Sequence, residues 1–221
     1  MNVNFTTDSF ESRHRFEAWY EAVCSRLINA KARQIEKSEF AGDFTYGTLT
    51  DIGLARHAAQ TSLLWQRTPE CIRKHPDDNF YLGQITHGDG HLEQNGYATR
   101  LTHGDMVIYD AAMPFEFGMN SMTIKIIRLP RAFFDRKSPC IAKLAGAKLD
   151  AQRPGMHAMQ ELMSEAFSWN SAEETRFHAL QFSEALLDMI AVCINMQKMQ
   201  EPVRADLYHE MIKYLQRNLE R

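Results

Sequence analysis

The sequence predicts an α+β fold that is mainly β, with one helix before a barrel of short strands and a helical region after it. Three observations predict this class. Residues 8–28 carry apolar side chains at helical spacing, residues 43–130 break into short runs between Gly, Asn, Asp and Pro, and helical spacing returns after Pro130. Many short strands in close succession favour a sandwich or barrel over an α/β sheet.

The first helix is predicted over residues 8–28. Asp8 and Glu11 have the spacing of a capping box, in which two side chains bond the free amide groups of the first turn. Phe16, Trp19 and Val23 then recur at intervals of three and four, so they would share one face of the helix.

The central region is predicted to contain nine strands joined by tight turns. Turns are expected at His87–Gly90, Asn95–Gly96 and His103–Asp105, since Asn-Gly and Asp-Gly pairs tolerate positive φ. The predicted strands are 44–49, 52–60, 62–67, 79–86, 91–94, 97–101, 106–110, 115–119 and 122–129.

The helical region is predicted to follow Pro130, which divides the chain into residues 1–135 and residues 136–221. A Met-rich apolar stripe begins at Met156, and Ser171 is expected to cap a long helix that runs to about residue 199. That long helix is apolar over a wide arc, which is explained either by a dimer surface or by burial against the barrel. Pro202 would end it, and a last helix is predicted from Val203 to Leu215.

The composition excludes several classes of protein. The formal net charge of −3 over 221 residues gives no basic excess, so direct DNA contact by this chain is not expected. The four cysteines lack metal-site spacing and fit reduced thiols of a cytoplasmic protein. Neither a signal peptide nor a run of 18 apolar residues is present, so no membrane partner is expected.

Motifs for catalysis are absent apart from one candidate metal cluster. The sequence has no nucleophile elbow, phosphate-binding loop or dinucleotide fingerprint. His87, His91, Glu93 and His103 are close enough in sequence to suggest a cupin-type metalloenzyme as an alternative function. Their placement at predicted turns favours solvated side chains, so we expect no metal, no cofactor and no catalytic residue.

A ligand pocket inside the barrel is the other candidate site. Small barrels turn alternate residues of each strand inward, and ligand pockets combine apolar walls with few polar groups. Plain core packing of the aromatic residues and a surface ion pair of the arginine remain open, and a one-residue slip in register would exchange every candidate for its neighbour. The predicted ligand-binding residues are Trp65, Tyr81, Tyr109, Phe117 and Arg128.

The stretch from Phe80 to Arg131 resembles the AraC-binding-like sensor domain of AraC/XylS-type transcription regulators. The matching features, in order, are Gln84, Gly88, the turns at Gln94–Gly96 and Leu101–Asp105, Tyr109-Asp110, Pro114-Phe115 and Leu129–Arg131. His103 departs from this pattern because Pro is usual there, and Tyr97 stands where Arg is common.

The resemblance implies a cupin-like barrel that binds a small organic effector, followed by helices that form a homodimer. Aromatic acids and amines are the first effector candidates. The resemblance implies no catalysis, and it places DNA binding in a helix-turn-helix module that we expect beyond Arg221. A closed barrel that serves only as an interaction module is a third alternative.

Overall fold

The computed structural model describes residues 3–36, 38–169 and 175–197. The α+β, mainly β class is confirmed. The strands are β1 (Val3–Thr6), β2 (Lys31–Gln34), β3 (Gly42–Leu49), β4 (Ile52–Ala59), β5 (Leu63–Arg67), β6 (Asn79–Gln94), β7 (Tyr97–Leu101), β8 (Met106–Asp110) and β9 (Phe115–Pro130). The helices are α1 (Ser12–Arg26), α2 (Pro69–Lys74), α3 (Arg131–Lys137), α4 (Ile141–Leu144), α5 (Met156–Ser168) and α6 (Arg176–Asn195).

Two long antiparallel strands, β6 and β9, organise a single nine-stranded sheet. The first half of β9 pairs with β5 and its second half with β4, while β6 pairs with β9, β8 and β7. The order β1-β3-β4-β9-β5-β2 runs across the rest of the sheet. In the described part of the chain, no strand pair joins the two ends of this path. The sheet is therefore open, in a cupin-like arrangement that does not close into a complete barrel.

The predicted turn at His87–Gly90 is wrong, because β6 continues through it. The pairing with β9 shifts register on both sides of His87, and Gly88 takes a φ of 77°. Opposite it, Ser121 has a φ of 42° at the point where a break between two strands was predicted. The positive-φ residues thus form paired irregularities in two continuous strands, since a bulge can absorb them without reversing the chain.

The other two predicted turns are confirmed. Asn95 and Gly96 have φ values of 53° and 79° and join β6 to β7, and Gly104 has a φ of 86° between β7 and β8. The short strands β1 and β2 and the six-residue helix α2 were not predicted. Each is too short to show a clear hydrophobic period.

Helix α1 packs against one face of the sheet. It starts at Ser12, and the predicted capping box does not form because the cap residue Glu11 makes no side-chain capping bond. Trp19, Val23 and Leu27 are buried against strand residues. We call this set of packed residues between α1 and the sheet the inner core.

Helices α3 to α6 cover the opposite face, where they form what we call the outer core. The predicted stripe is confirmed in part, since Met156, Met159 and Met163 of α5 are buried. Helix α6, among the described helices, is long and apolar enough to cross a membrane, and 39% of its most apolar window is buried. The predicted Ser171 cap, the break at Pro202 and the last helix lie outside the described residues.

Candidate functional site

A small cavity lies in the inner core, beneath the C-terminal half of α1. Its volume is about 30 Å³, enough for one or two water molecules. The walls are aliphatic and aromatic side chains together with one histidine. The lining residues are Val23, Leu27, Ile28, Ala30, His57, Trp65, Tyr109, Phe115, Phe117, Ile124 and Ile126.

His57 is the polar side chain that sequence reasoning missed. It lies on β4 between Ala55 and Ala59, on the face that points into the inner core. Burial lowers its pKa from 6.5 to about 4, so the imidazole is neutral at pH 7. Its Nδ1 has no hydrogen-bond partner. The two flanking alanines were the only sequence signal for this position, because they mark the face on which α1 can approach.

Trp65, which lines the same cavity, carries a second buried polar atom without a partner. Its ring centroid lies 6.4 Å from that of His57 and 5.7 Å from that of Trp19. The indole Nε1–H has no hydrogen-bond partner, whereas the corresponding group of Trp19 donates to the carbonyl oxygen of Asp43. Buried polar groups are usually paired, and one that is not costs about 1–3 kcal/mol. Two such groups in one cavity indicate a place for a ligand.

The five predicted ligand-binding residues fall into three positions. Trp65, Tyr109 and Phe117 line the cavity. Tyr81 lies behind this wall, stacked on Tyr109 with ring centroids 5.2 Å apart. Arg128 lies in a separate polar cleft beside the end of α1. Ligand binding by each of them stays a prediction.

The hydroxyl group of Tyr81 links the cavity wall to Asp77 and to the backbone of Leu27. It donates to Asp77 Oδ2 at 2.6 Å and lies 2.9 Å from the carbonyl oxygen of Leu27. Burial and the Asp77 carboxylate raise the pKa of Tyr81, and burial also raises that of Tyr109. Both phenols are therefore neutral hydrogen-bonding groups at physiological pH.

Arg67, which is buried on β5, fixes the rim of the site. Its guanidinium donates to the carbonyl oxygens of Ala111 at 2.6 Å, Asn29 at 2.5 Å and His75 at 2.9 Å. These carbonyls belong to three separate segments, including the loop that follows α1. A single side chain thus sets the position of that loop over the cavity.

Comparison with known proteins gives a family. Residues 19–194 match the AraC-binding-like domain, which is most of the chain. This chain belongs to the AraC-binding-like domain family. The domain also superposes on the AraC-like transcriptional activator CuxR with a TM-score of 0.78 and 14% identity, covering all of this chain and 79% of that one.

One curated relative, which is described as uncharacterised, matches part of this chain. It is an uncharacterised protein in the nit 5' region of Bacillus sp. (strain OxB-1), 28% identical over 115 residues. The match covers 52% of this chain and 44% of the relative. The matched part of this chain therefore spans less than half the length of that relative.

The two departures from the family pattern have structural roles in this AraC-binding-like domain. The hydroxyl of Tyr97 donates to the carbonyl oxygen of Lys143, which links β7 to α4. His103 Nδ1 lies 2.8 Å from the carbonyl oxygen of Thr86. Neither residue lines the cavity.

The residues of the metalloenzyme alternative are not brought together. His87 is exposed on β6, and His103 lies in the turn before β8. His91 and Glu93 instead meet Glu116 on the face of the sheet away from the inner core, with ligand atoms within 4.8 Å of one another. The four residues of this alternative therefore do not form one cluster, because β6 continues where a turn was expected and His103 lies on another segment.

Proposed function

We propose that this domain senses a small organic molecule in the inner cavity and controls DNA binding by another module of a transcription regulator. The observation that carries the proposal is that two residues lining an otherwise apolar cavity, His57 and Trp65, each keep a buried polar atom without a partner. Membership of the AraC-binding-like family and similarity to a solved AraC-like activator support it.

Trp65, Tyr109 and Phe117 are the proposed walls of the binding site. Tyr81 supports Tyr109 from behind, and Arg128 stands at the outer cleft without entering the cavity. The described cavity of about 30 Å³ is smaller than any organic effector, so binding must move its cover. That cover is the C-terminal end of α1 with Leu27 and Ile28, and displacement of α1 would report that the site is occupied.

We propose a non-catalytic role without metal or cofactor. His57 and Tyr109 are the titratable side chains that line the described cavity, and burial keeps each in its neutral form near pH 7. A nucleophile with an adjacent base, or a pair of carboxylates, is not found among these lining residues.

A cavity-filling variant tests the sensor proposal. Ala30 lines the cavity, so Ala30→Leu fills it, while Ala98→Leu places the same side chain on an exposed position of β7. Small organic compounds that raise the melting temperature of the wild type should do so for Ala98→Leu but not for Ala30→Leu. If no compound stabilises the protein, or if Ala30→Leu responds like the wild type, the proposal fails.

We propose that α6 forms a homodimer interface. Phe177 is 64% exposed, and Leu180, Val192 and Met196 are each 45% exposed, although the opposite side of the helix is buried in the outer core. Sedimentation should give a dimer that becomes a monomer in Phe177→Ser/Leu180→Ser. A monomeric wild type at tens of micromolar would exclude this interface.

We further propose a cytoplasmic regulator in which DNA is contacted only through a separate module. The net charge of −3 supports this, since a surface that neutralises phosphates needs a basic excess. Gel-shift titration of this chain alone should show no retention of promoter DNA at physiological salt. Specific retention would show that the domain itself reads DNA.

A further inference from the structure

The chemistry of the cavity narrows the class of ligand. We propose that the ligand is an uncharged aromatic molecule with one hydroxyl group, which accepts a hydrogen bond from Trp65 Nε1 and pairs with His57 Nδ1. This inference rests on the proposed sensor function and specifies its ligand. It differs from the aromatic acids and amines that were the first effector candidates from the family resemblance.

The cavity provides no countercharge for an ion. None of its lining residues is Lys, Arg, Asp or Glu, and its histidine is neutral. The buried Arg67 is already committed to three carbonyl oxygens, and Arg128 lies in the outer cleft. An ammonium group would lose its hydration without gaining an ionic partner, and a carboxylate would gain one only by protonating His57 against its lowered pKa, so both ions are disfavoured.

The two unpaired atoms call for a group that can both accept and donate. An indole N–H donates only, whereas Nδ1 of a neutral imidazole donates in one tautomer and accepts in the other. A hydroxyl accepts from Trp65 and can then donate to His57, so it fits the tautomer in which Nδ1 is the acceptor. It has a second lone pair for the other tautomer. A carbonyl group fits only one of the two tautomers.

The aromatic side chains of the cavity wall favour a ligand that contains an aromatic ring beside that hydroxyl group. Tyr109 and Phe115 meet edge to face with centroids 5.3 Å apart, and Phe117 lies 6.3 Å from Tyr109. An added ring can continue this arrangement through stacked or edge-to-face contacts. The aliphatic side of the cavity, with Ile124 and Ile126, covers the remaining surface of such a ring.

Four probes of nearly equal shape test the inference: benzyl alcohol, toluene, benzoate and benzylammonium. Binding is followed by the indole N–H resonances in proton–nitrogen NMR spectra of the full chain, assigned with Trp65→Phe and Trp169→Phe. Trp169 packs against Phe182 on the other side of the sheet and serves as the internal control. Benzyl alcohol should move the Trp65 signal, leave the Trp169 signal in place and bind at least tenfold more tightly than either ion.

Two substitutions separate the hydrogen bonds from the cavity itself. Trp65→Phe and His57→Leu should each weaken benzyl alcohol binding, followed in both variants by ligand line broadening, about fivefold, the usual range for one hydrogen bond. Toluene binding, followed by ligand line broadening, should stay unchanged in both variants, which also shows that the cavity is intact. Trp169→Phe should bind all probes as the wild type does.

The outcomes distinguish this inference from the sensor proposal. If benzoate or benzylammonium binds in the cavity as tightly as benzyl alcohol, the uncharged-ligand inference is wrong and the sensor proposal stands. If both variants bind benzyl alcohol as well as the wild type, the hydroxyl pairing is wrong. If no probe moves the Trp65 resonance, both proposals are overturned.

Discussion

The cores on the two faces of the sheet differ in how completely their buried polar side chains are hydrogen-bonded. In the outer core, the buried hydroxyls are paired: Ser138 donates to the carbonyl oxygen of Ala191 at 3.1 Å, and Ser183 to that of Leu180 at 2.8 Å. In the inner core, His57 and Trp65 leave polar atoms unpaired beside a cavity. The same sheet is thus packed for stability on one face and left incomplete on the other.

This difference assigns the outer core to the stability of the fold and the inner core to the proposed ligand binding. Thr61 Oγ1 is unpaired as well, and it lies in the turn between β4 and β5, next to the inner core strands. The Nε atoms of Arg131 and Arg153 also make no hydrogen bond of good geometry, but they lie in ion pairs with Asp78 and Asp150. Among the described residues, unsatisfied groups without any partner are therefore found beside the face where a ligand can supply one.

The largest expected effect is at the rim of the inner core. Arg67→Met leaves one buried and two partly buried carbonyl oxygens without their donor, so the free energy of unfolding should fall by about 4 kcal/mol. Urea denaturation measures it, and Arg100→Met on an exposed position of β7 is the control, with almost no change expected. A loss below about 1 kcal/mol would show that the rim does not depend on this clamp.

A truncation in the outer core should cost slightly less. Ile190 is fully buried on α6, and Ile190→Ala should lower the free energy of unfolding by about 3 kcal/mol through lost burial and a new cavity. Val192→Ala, at a half-exposed position of the same helix, should change it by less than about 1 kcal/mol. Equal losses at the two positions would mean that the outer core is not the well-packed one.

Acid should destabilise the protein through the inner core. His57 has a pKa of about 4 in the folded protein and its ordinary pKa of 6.5 in the unfolded chain, so at pH 5 the unfolded chain binds more protons than the folded one. The contribution of His57 to the free energy of unfolding is fully present above pH 6.5. It decreases as the pH is lowered, by about 2 kcal/mol between pH 7.5 and pH 5. Chemical denaturation at both pH values measures it. His57→Leu should lose this part of the pH dependence, and an unchanged dependence would contradict the burial of a neutral imidazole.

The sequence contained most of the fold but only part of the site. Period-two alternation decides which residues of a regular strand share a face, and the structure places Trp65, Tyr109 and Phe117 on the face that lines the cavity. The prediction failed at Gly88, where positive φ is equally compatible with a turn or a bulge, and only pairing with β9 decides between them. The predicted turn had counted against a metal site, and with β6 continuous, His91 and Glu93 lie beside Glu116 while His87 and His103 lie elsewhere.

Long-range contacts explain what the sequence could not show. The burial of His57 depends on α1 packing across β4, with Trp19 5.8 Å away in ring centroids but 38 positions away in sequence. The three carbonyl partners of Arg67 likewise come from separate segments. Local periodicity carries no information about such contacts. In the sequence, a histidine within β4 and an arginine at the end of β5 therefore look like ordinary surface residues.

The most direct test of the difference between the two faces is the stability of His57→Leu at pH 7.5 without ligand. If His57 is kept for ligand binding, an apolar side chain of similar size removes an unpaired buried group. The free energy of unfolding should then equal that of the wild type or exceed it by up to about 1 kcal/mol. A loss of more than about 1 kcal/mol would show that His57 stabilises the empty domain, and would contradict the view of the inner core as a site left open for a ligand.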